Sequence, residues 1–216
     1  MITISAFDWV PDMARGQVRD LRVRWALEEA GLPYRTKLIN HQEKLSEGYR
    51  EWQPFCQVPA YDDGEVRMFE SGAIVLHIGE KSEALLPKEP AARARAMTWV
   101  MAALNSLDPF ILWLMMTAVF NADKPWAAEA RPEAETYVKK RLASLAHCLK
   151  GREWLEGRFT VGDLMVACTL RSLGFCDLVT GDPVLGPYLK RCEARPAFQR
   201  ALAAQLADFT GQPQAA

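Results

Sequence analysis

Pro54-Phe55-Cys56-Gln57-Val58-Pro59-Ala60-Tyr61-Asp62-Asp63-Gly64-Glu65-Val66-Arg67-Met68-Phe69-Glu70-Ser71-Gly72-Ala73-Ile74 reads as strand, tight turn, strand and helix start. Asp63-Gly64 supplies the positive φ angles of a two-residue hairpin turn, and Tyr61 and Val66 to Phe69 suit a pleated, half-buried surface. Pro59 cannot donate to a ladder, so it belongs at an edge or a turn, and Val58-Pro59 is a candidate cis peptide. In either isomer the backbone groups of Val58 stay available. Ser71 is an N-cap residue, and the amides of Gly72 and Ala73 behind it have no intrahelical partner, which makes a small anion site. Glu70 beside it offers a carboxylate to an ammonium group. An α-amino acid carries both charges, and an extended peptide can pair with Val58 by strand addition. The ligand implied is a short peptide with a free amino-acid end.

Outward from this stretch the chain divides into a mixed part and a helical part. Ile2, Ile4 and Ala6 alternate with Thr3 and Ser5, the period of a strand with one buried face. After a loop from Asp8 to Gln17, Val18, Leu21, Trp25 and Ala26 fall at helical spacing, with Asp20 in the first turn and Gly31 as the stop. Pro33 to Ile39 is a second strand, so strand, helix, strand forms a βαβ unit with a parallel pair and a right-handed crossover. The hairpin and the helix from Ser71 complete a thioredoxin-like arrangement over residues 1–81. Residues 82–90, with Pro87 and Pro90, read as a linker.

Residues 91–216 hold nothing that reads as a strand. Met97, Val100, Met101, Leu104, Leu107 and Ile111 place a long helix over Ala91 to Phe120, with Pro109 as a kink. A second runs from Pro132 to Leu149. Thr160-Val161-Gly162-Asp163 is a capping box with Phe159 as a staple onto Leu164. Pro187 to Ala194 and Pro196 to Asp208 are the closing helices, and the Gln/Pro/Ala tail frays. The fold class is α/β plus all-α, a thioredoxin-like N-terminal domain followed by an all-helical C-terminal domain.

A chain of 216 residues, 50% hydrophobic and 25% charged, is an ordinary globular composition. A formal net charge of −1 gives no electrostatic case for nucleic acid or an anionic membrane. Cys56, Cys148, Cys168, Cys176 and Cys192 are odd in number, scattered and without a CxxC pair, which argues against a disulfide framework and a zinc site and for reduced thiols in a cytosol. His41, His77 and His147 form no metal constellation. The N-terminus lacks the basic region of a signal peptide, and the longest apolar run, Phe110 to Met116, is too short to span a bilayer.

Gln53-Pro54-Phe55-Cys56-Gln57-Val58-Pro59 followed by Phe69-Glu70-Ser71-Gly72-Ala73-Ile74 resembles the glutathione site of the glutathione S-transferase family. That family usually has Asn where Gln53 stands and often Gly where Cys56 stands. Leu21 to Tyr34 resembles its first helix and exit, and the Thr160–Asp163 box resembles one that serves folding in its C-terminal domain. The resemblance implies that Val58 and Pro59, with Gln57 beside them, present backbone to the cysteinyl part of glutathione, that Glu70 and Ser71 hold its γ-glutamyl group, and that Lys44 meets its glycyl carboxylate. It implies glutathione as co-substrate, a cytoplasmic homodimer, and a small hydrophobic electrophile between the domains near Met101, Asn105, Phe110 and Met116.

One departure stands out. Family members lower the thiol pKa of glutathione with a Tyr, Ser or Cys at the end of the first strand or the start of the first helix, and residues 8–21 contain no hydroxyl or thiol. Gln17, Val18 and Arg19 occupy the positions of the Ser/Cys cluster of zeta-like relatives. Arg15 or Arg19, the Gln17 side chain and the amides at the helix start can still stabilise a thiolate by charge and dipole. Cys56 reads as a small buried thiol. The expected function is a glutathione transferase. The alternatives are a transferase-fold protein that binds glutathione or a protein partner without chemistry, and a glutathione-dependent isomerase or reductase.

Overall fold

The computed structural model describes residues 1–212, so the tail from residue 213 onward, expected to fray, lies outside the described residues. Contacts divide the chain into two compact units, Met1–Leu86 with the segment from Ala194, and Pro87–Glu193.

In the first unit β1 (Ile2–Phe7) leads through a loop into α1 (Asp20–Ala30), which ends at Gly31 with φ 65°. β2 (Tyr34–Ile39) then pairs parallel with β1 over its full length, Ile2 opposite Tyr34 and Phe7 opposite Ile39. A short α2 (Glu47–Arg50) precedes β3 (Ala60–Asp62) and β4 (Arg67–Phe69), an antiparallel pair with Ala60 opposite Phe69. The strand order is β2-β1-β3-β4, with β3 antiparallel to β1. α3 (Ser71–Glu80) follows directly. This is the expected thioredoxin-like sheet.

The hairpin differs from the two-residue turn expected. It spans residues 63–66; Gly64 takes φ 93°, while Asp63 keeps a negative φ and uses its carboxylate, accepting the amides of Glu65 at 3.1 Å and Val66 at 2.9 Å. Its other oxygen takes Lys81 Nζ at 2.7 Å and the Tyr61 hydroxyl at 3.1 Å, so the turn is tied to α3 and the sheet.

The second unit is helical. α4 (Pro90–Ala102) and α5 (Asp108–Met115) are joined by a π-helical turn over Ala103–Leu107, and a second π turn covers Met116–Phe120. The expected proline kink is thus a bulge. Pro109 has no N–H and its ring conflicts with a carbonyl one turn back, and the widened turn before it, with the Asp108 amide on the Ala103 carbonyl, shifts the ladder. The whole run Pro90–Phe120 is 31 residues and by length and composition could cross a membrane, contrary to the reading of Phe110–Met116 alone. A core helix passes the same test, and Ala96, Val100, Ala103, Leu107, Ile111 and Leu114 are buried.

α6 (Pro125–Leu149) starts seven residues before the expected Pro132, which lies inside it. The stripe Ala127, Ala134, Val138, Leu142, Leu145 and Leu149 is buried on both sides of that proline, and packing outweighs the ~3 kcal/mol cost of an interior proline. α7 (Val161–Arg171) is buried from Val161 to Leu170 and packs on α4, where a Cβ on Gly162 would lie 2.6 Å from Trp99 Cβ. α8 (Leu185–Glu193) completes this unit. α9 (Pro196–Asp208), grouped with the helical part by sequence, packs on α1 in the first unit.

The Thr160 box forms as expected. Thr160 Oγ1 accepts the Gly162 amide, and Asp163 Oδ2 accepts the Thr160 amide at 3.0 Å. Asp163 Oδ1 also takes the Leu155 amide and the Tyr188 hydroxyl, each at 3.0 Å, with Asp163 fully buried. Asp163→Ala would strand four buried donors, the Leu155 and Thr160 amides and the Thr160 and Tyr188 hydroxyls, and we expect it to lower unfolding free energy by ~3 kcal/mol or more, read from urea denaturation.

Candidate functional site

The strand register brings four sequence-distant segments to one end of the sheet. With Phe7 opposite Ile39 and Ala60 opposite Phe69, β1, β2 and β4 end where β3 begins. The loop after Phe7, Lys44 after β2, Val58-Pro59 before β3 and Glu70-Ser71 after β4 therefore emerge at the same edge, the carboxyl edge where ligands of open α/β sheets bind.

Val58-Pro59 is cis, as expected, and both residues are buried. The Val58 amide and carbonyl make no hydrogen bond with the described residues. What fixes this segment is a chain of hydroxyls. Ala60 N–H donates to Ser5 Oγ at 2.7 Å, Ser5 Oγ lies 2.8 Å from Tyr49 Oη, and Tyr49 donates to the Gln57 carbonyl at 2.6 Å. Tyr49 has a single proton and the carbonyl can only accept, so Ser5 must donate to Tyr49. Burial pushes the Tyr49 pKa up to about 12, which keeps it a neutral donor. Backbone on both sides of Val58-Pro59 is thereby pinned to β1 and α2.

Upstream, the buried Gln53 winds the loop around its side chain. Its Oε1 accepts the Phe55 amide at 2.7 Å and the Gln57 amide at 3.2 Å. Cys56 has φ 54°, the left-handed region, which accounts for a glycine preference at this position. It is half-buried, against the expected buried thiol, because the loop turns it outward between the exposed Phe55 and Gln57.

At the start of α3 the expected capping arrangement shifts by one residue. Glu70, with φ 68° and ψ 110°, is the N-cap; its carbonyl accepts the Ile74 amide at 3.0 Å and its exposed side chain makes no capping bond. Ser71 is the first helical residue, and its hydroxyl is taken by the Arg22 guanidinium at 3.3 Å. The helix-leading amides, the Ser71 hydroxyl and a buried cation thus share one corner, a stronger anion site than a serine cap. Arg22, on α1 and 4% exposed, escaped the sequence reading. Its signal is a charge inside the run Leu21 to Leu27, every residue of which is buried.

Lys44 is half-buried, its Nζ 5.7 Å from the centre of the Phe7 ring at the end of β1. Arg15, Gln17 and Arg19 are exposed on the β1–α1 loop. Arg15 lies over the Phe209 ring at 5.3 Å and Arg19 is the N-cap of α1. The amides expected at the start of α1 are already used: Leu21 N bonds Val18 O at 3.0 Å, Arg22 N bonds Arg19 O at 3.1 Å, and the Asp20 carboxylate takes its own amide. Of the apolar-wall candidates on the helical unit, Met101, Asn105 and Met116 are exposed, while Phe110 stacks on Tyr137 at 5.6 Å under the Arg141 guanidinium.

Two substitutions test this geometry. Cys56→Gly relieves the left-handed backbone and should raise unfolding free energy by ~1 kcal/mol in chemical denaturation. Tyr49→Phe removes the donor to Gln57 and should cost ~1–2 kcal/mol, with faster hydrogen exchange at the Ala60 amide.

A family model for the glutathione S-transferase N-terminal domain matches residues 13–80. Glutathione S-transferase F11 of Arabidopsis thaliana is 31% identical over 159 residues, which cover 68% of this chain and 74% of that protein. A glutathione transferase of Burkholderia graminis, solved with two glutathione molecules bound per subunit, matches with TM-score 0.81 and 25% identity over 94% of this chain and 88% of its own. A glutathione transferase of Pseudomonas putida, solved with one glutathione disulfide per subunit, shares the fold with TM-score 0.81 and 24% identity over 93% and 90% of the two chains. With the sheet order and the helical unit described above, the identity to the Arabidopsis protein over most of its length places this chain in the glutathione S-transferase family.

Proposed function

We propose that this protein binds glutathione at the carboxyl edge of its sheet and transfers the thiolate to a small hydrophobic electrophile. The observation that carries the reading is the unpaired backbone of Val58 beside cis-Pro59, at the same sheet edge as the α3 start with Ser71 and Arg22. The cysteinyl backbone of glutathione pairs with Val58, next to Gln57 and Pro59. The γ-glutamyl carboxylate takes the α3 amides and the Ser71 hydroxyl, its ammonium meets Glu70, and the glycyl carboxylate meets Lys44. Binding of glutathione by the Burkholderia protein supports the assignment.

The nucleophile is the thiolate, and a free thiol of pKa ~8.5 is mostly protonated at neutral pH. Arg15, Gln17 and Arg19 on the β1–α1 loop supply the stabilising charge and dipole. The sulfur attacks an electrophilic carbon, forming a C–S bond as electrons pass to a leaving group or a conjugated acceptor. A second reading, reduction of a disulfide by glutathione, is in keeping with the glutathione disulfide held by the Pseudomonas protein, while the absence of a hydroxyl in the loop favours a transferase-fold protein that binds glutathione without chemistry. We place the protein in the cytoplasm, in keeping with five free cysteines, and as a homodimer, in keeping with Phe55 at 65% exposure.

A pH titration of protein-bound glutathione, followed by thiolate absorbance in the ultraviolet, tests this. The expected thiol pKa is about one unit or more below the free value of ~8.5. Ser71→Ala should weaken binding about tenfold (~1.4 kcal/mol) with the thiol pKa unchanged, and Arg19→Ala should raise the thiol pKa with little change in affinity. Saturable binding with an unshifted thiol would replace the enzyme by a glutathione-binding protein without chemistry, and absence of binding would overturn both.

A further inference from the structure

The loop from Asp8 to Arg19 carries Arg15, Gln17 and Arg19, yet little of its own structure holds it. Its internal bonds are turn-like, Ala14 N to Pro11 O, Arg15 N to Asp12 O and Gln17 N to Ala14 O, and Asp12, Met13, Arg15, Gln17 and Arg19 are all exposed. It is anchored at its two ends, where Asp8 N–H donates to the Ile39 carbonyl at 3.1 Å and Val18 packs against Ile39, Tyr49 and Val58, and further contacts reach it from the opposite end of the sequence.

Past α9 the chain turns, with the Thr210 amide on the Asp208 carbonyl, and runs back over the loop. Gly211 N–H donates to the Asp8 carbonyl at 2.9 Å. The approach is so close that a Cβ on Gly211 would lie 2.9 Å from Asp8 Cγ and 3.1 Å from the Asp8 carbonyl oxygen. Phe209 places its ring under the Arg15 guanidinium at 5.3 Å. At the far end of the loop, Gln205 Nε2 donates to Val18 O at 3.1 Å and to Asp20 Oδ1 at 2.7 Å. Its Oε1 is buried without a partner among the described residues, so the amide is oriented by these two acceptors. Beneath, Arg24 joins Asp20 at 2.7 Å to Asp208 at 2.6 Å, and ties the last turn of α9 to the first turn of α1.

We infer that the segment Gln205–Gly211 is a strap that belongs to the glutathione site: it grips the β1–α1 loop at Asp8, Arg15 and Val18 and positions Arg15 for the bound thiolate. This rests on the proposed function for its chemistry, though the gripping contacts are independent of any ligand. Phe209 and Gly211 are positioning residues. Neither lies in the stretches that bind the rest of glutathione, so their loss alters the acidity of the thiol and leaves the Ser71 and Val58 anchors intact.

The test compares the full chain with a chain ending at Asp208 and with Gly211→Val, which keeps the length and blocks the close approach. Unchanged melting temperature to within a few degrees establishes that α9 still docks; should the shortened chain unfold, Gly211→Val and Phe209→Leu carry the same comparison. Without ligand, amide exchange over residues 8–19 should speed up about tenfold in the variants while β1 and α3 stay protected. With glutathione, affinity should change less than about threefold, while the pKa of the bound thiol rises and kcat falls with KM nearly constant. Unchanged exchange in the loop would overturn the strap. Faster exchange with an unmoved thiol pKa would overturn its role in the site. Failure of the full chain to bind glutathione would sink the proposed function and with it this role, while the ligand-free exchange would still decide the strap.

Discussion

The relay from the Ala60 amide through Ser5 and Tyr49 to the Gln57 carbonyl is the constraint on which the carboxyl edge of the sheet depends. Ser5 lies in β1, an interior strand flanked by β2 and β3, and is fully buried there. A hydroxyl in that position would be costly unless satisfied, and it is satisfied by the loop that carries cis-Pro59. This interior strand therefore fixes the segment around cis-Pro59. Because the relay absorbs the Ala60 amide and the Gln57 carbonyl, the backbone left without a hydrogen bond to the described residues is that of Val58. Polar burial here fixes the course of a loop as well as a fold.

The same principle governs α1. A helix buried from Asp20 to Leu27 carries Asp20, Arg22 and Arg24, charges that could not be desolvated alone. Arg24 and Asp20 pair within α1, and partners also come from other elements: Ser71 on α3 for Arg22, Asp208 on α9 for Arg24 and Gln205 on α9 for Asp20. Burial raises the Asp20 pKa, while the adjoining Arg24 guanidinium pulls it down. Taking one partner away would leave an uncompensated charge, so α1 cannot slide or rotate without breaking the α3 and α9 contacts together. This rigidity is passed to the loop that precedes it.

Local chemistry was legible in the sequence and tertiary chemistry was not. The parallel βαβ unit, the cis-proline, the hairpin strands and the Thr160–Asp163 box each follow from neighbouring residues whose preferences agree. The four-residue turn was missed because the Asp63 carboxylate, also held by Lys81, replaces backbone left-handedness. The cap at α3 moved from Ser71 to Glu70 because Arg22, far away in sequence, claims the serine hydroxyl. The start of α6 was misplaced because a buried alanine and valine stripe overrides an interior proline. α9 has the periodicity of any amphipathic helix, and nothing local says that its partner is α1.

The missing hydroxyl in the β1–α1 loop can be weighed by magnitude. A cation ~4 Å from a thiolate contributes about 1 kcal/mol in bulk water and about 4 kcal/mol at an effective dielectric of ~20. One pKa unit corresponds to about 1.4 kcal/mol, so an arginine on a solvent-washed loop shifts a thiol by less than one unit, while the same arginine held in a sheltered place shifts it by two or three. Identity of the cation matters less than its confinement. Arg15 is stacked on an aromatic ring supplied from beyond α9, and the loop around it is pinned at Asp8 and Val18. A hydroxyl donor brings its own short hydrogen bond wherever the loop happens to sit; a charge acting through space needs the loop to stay still.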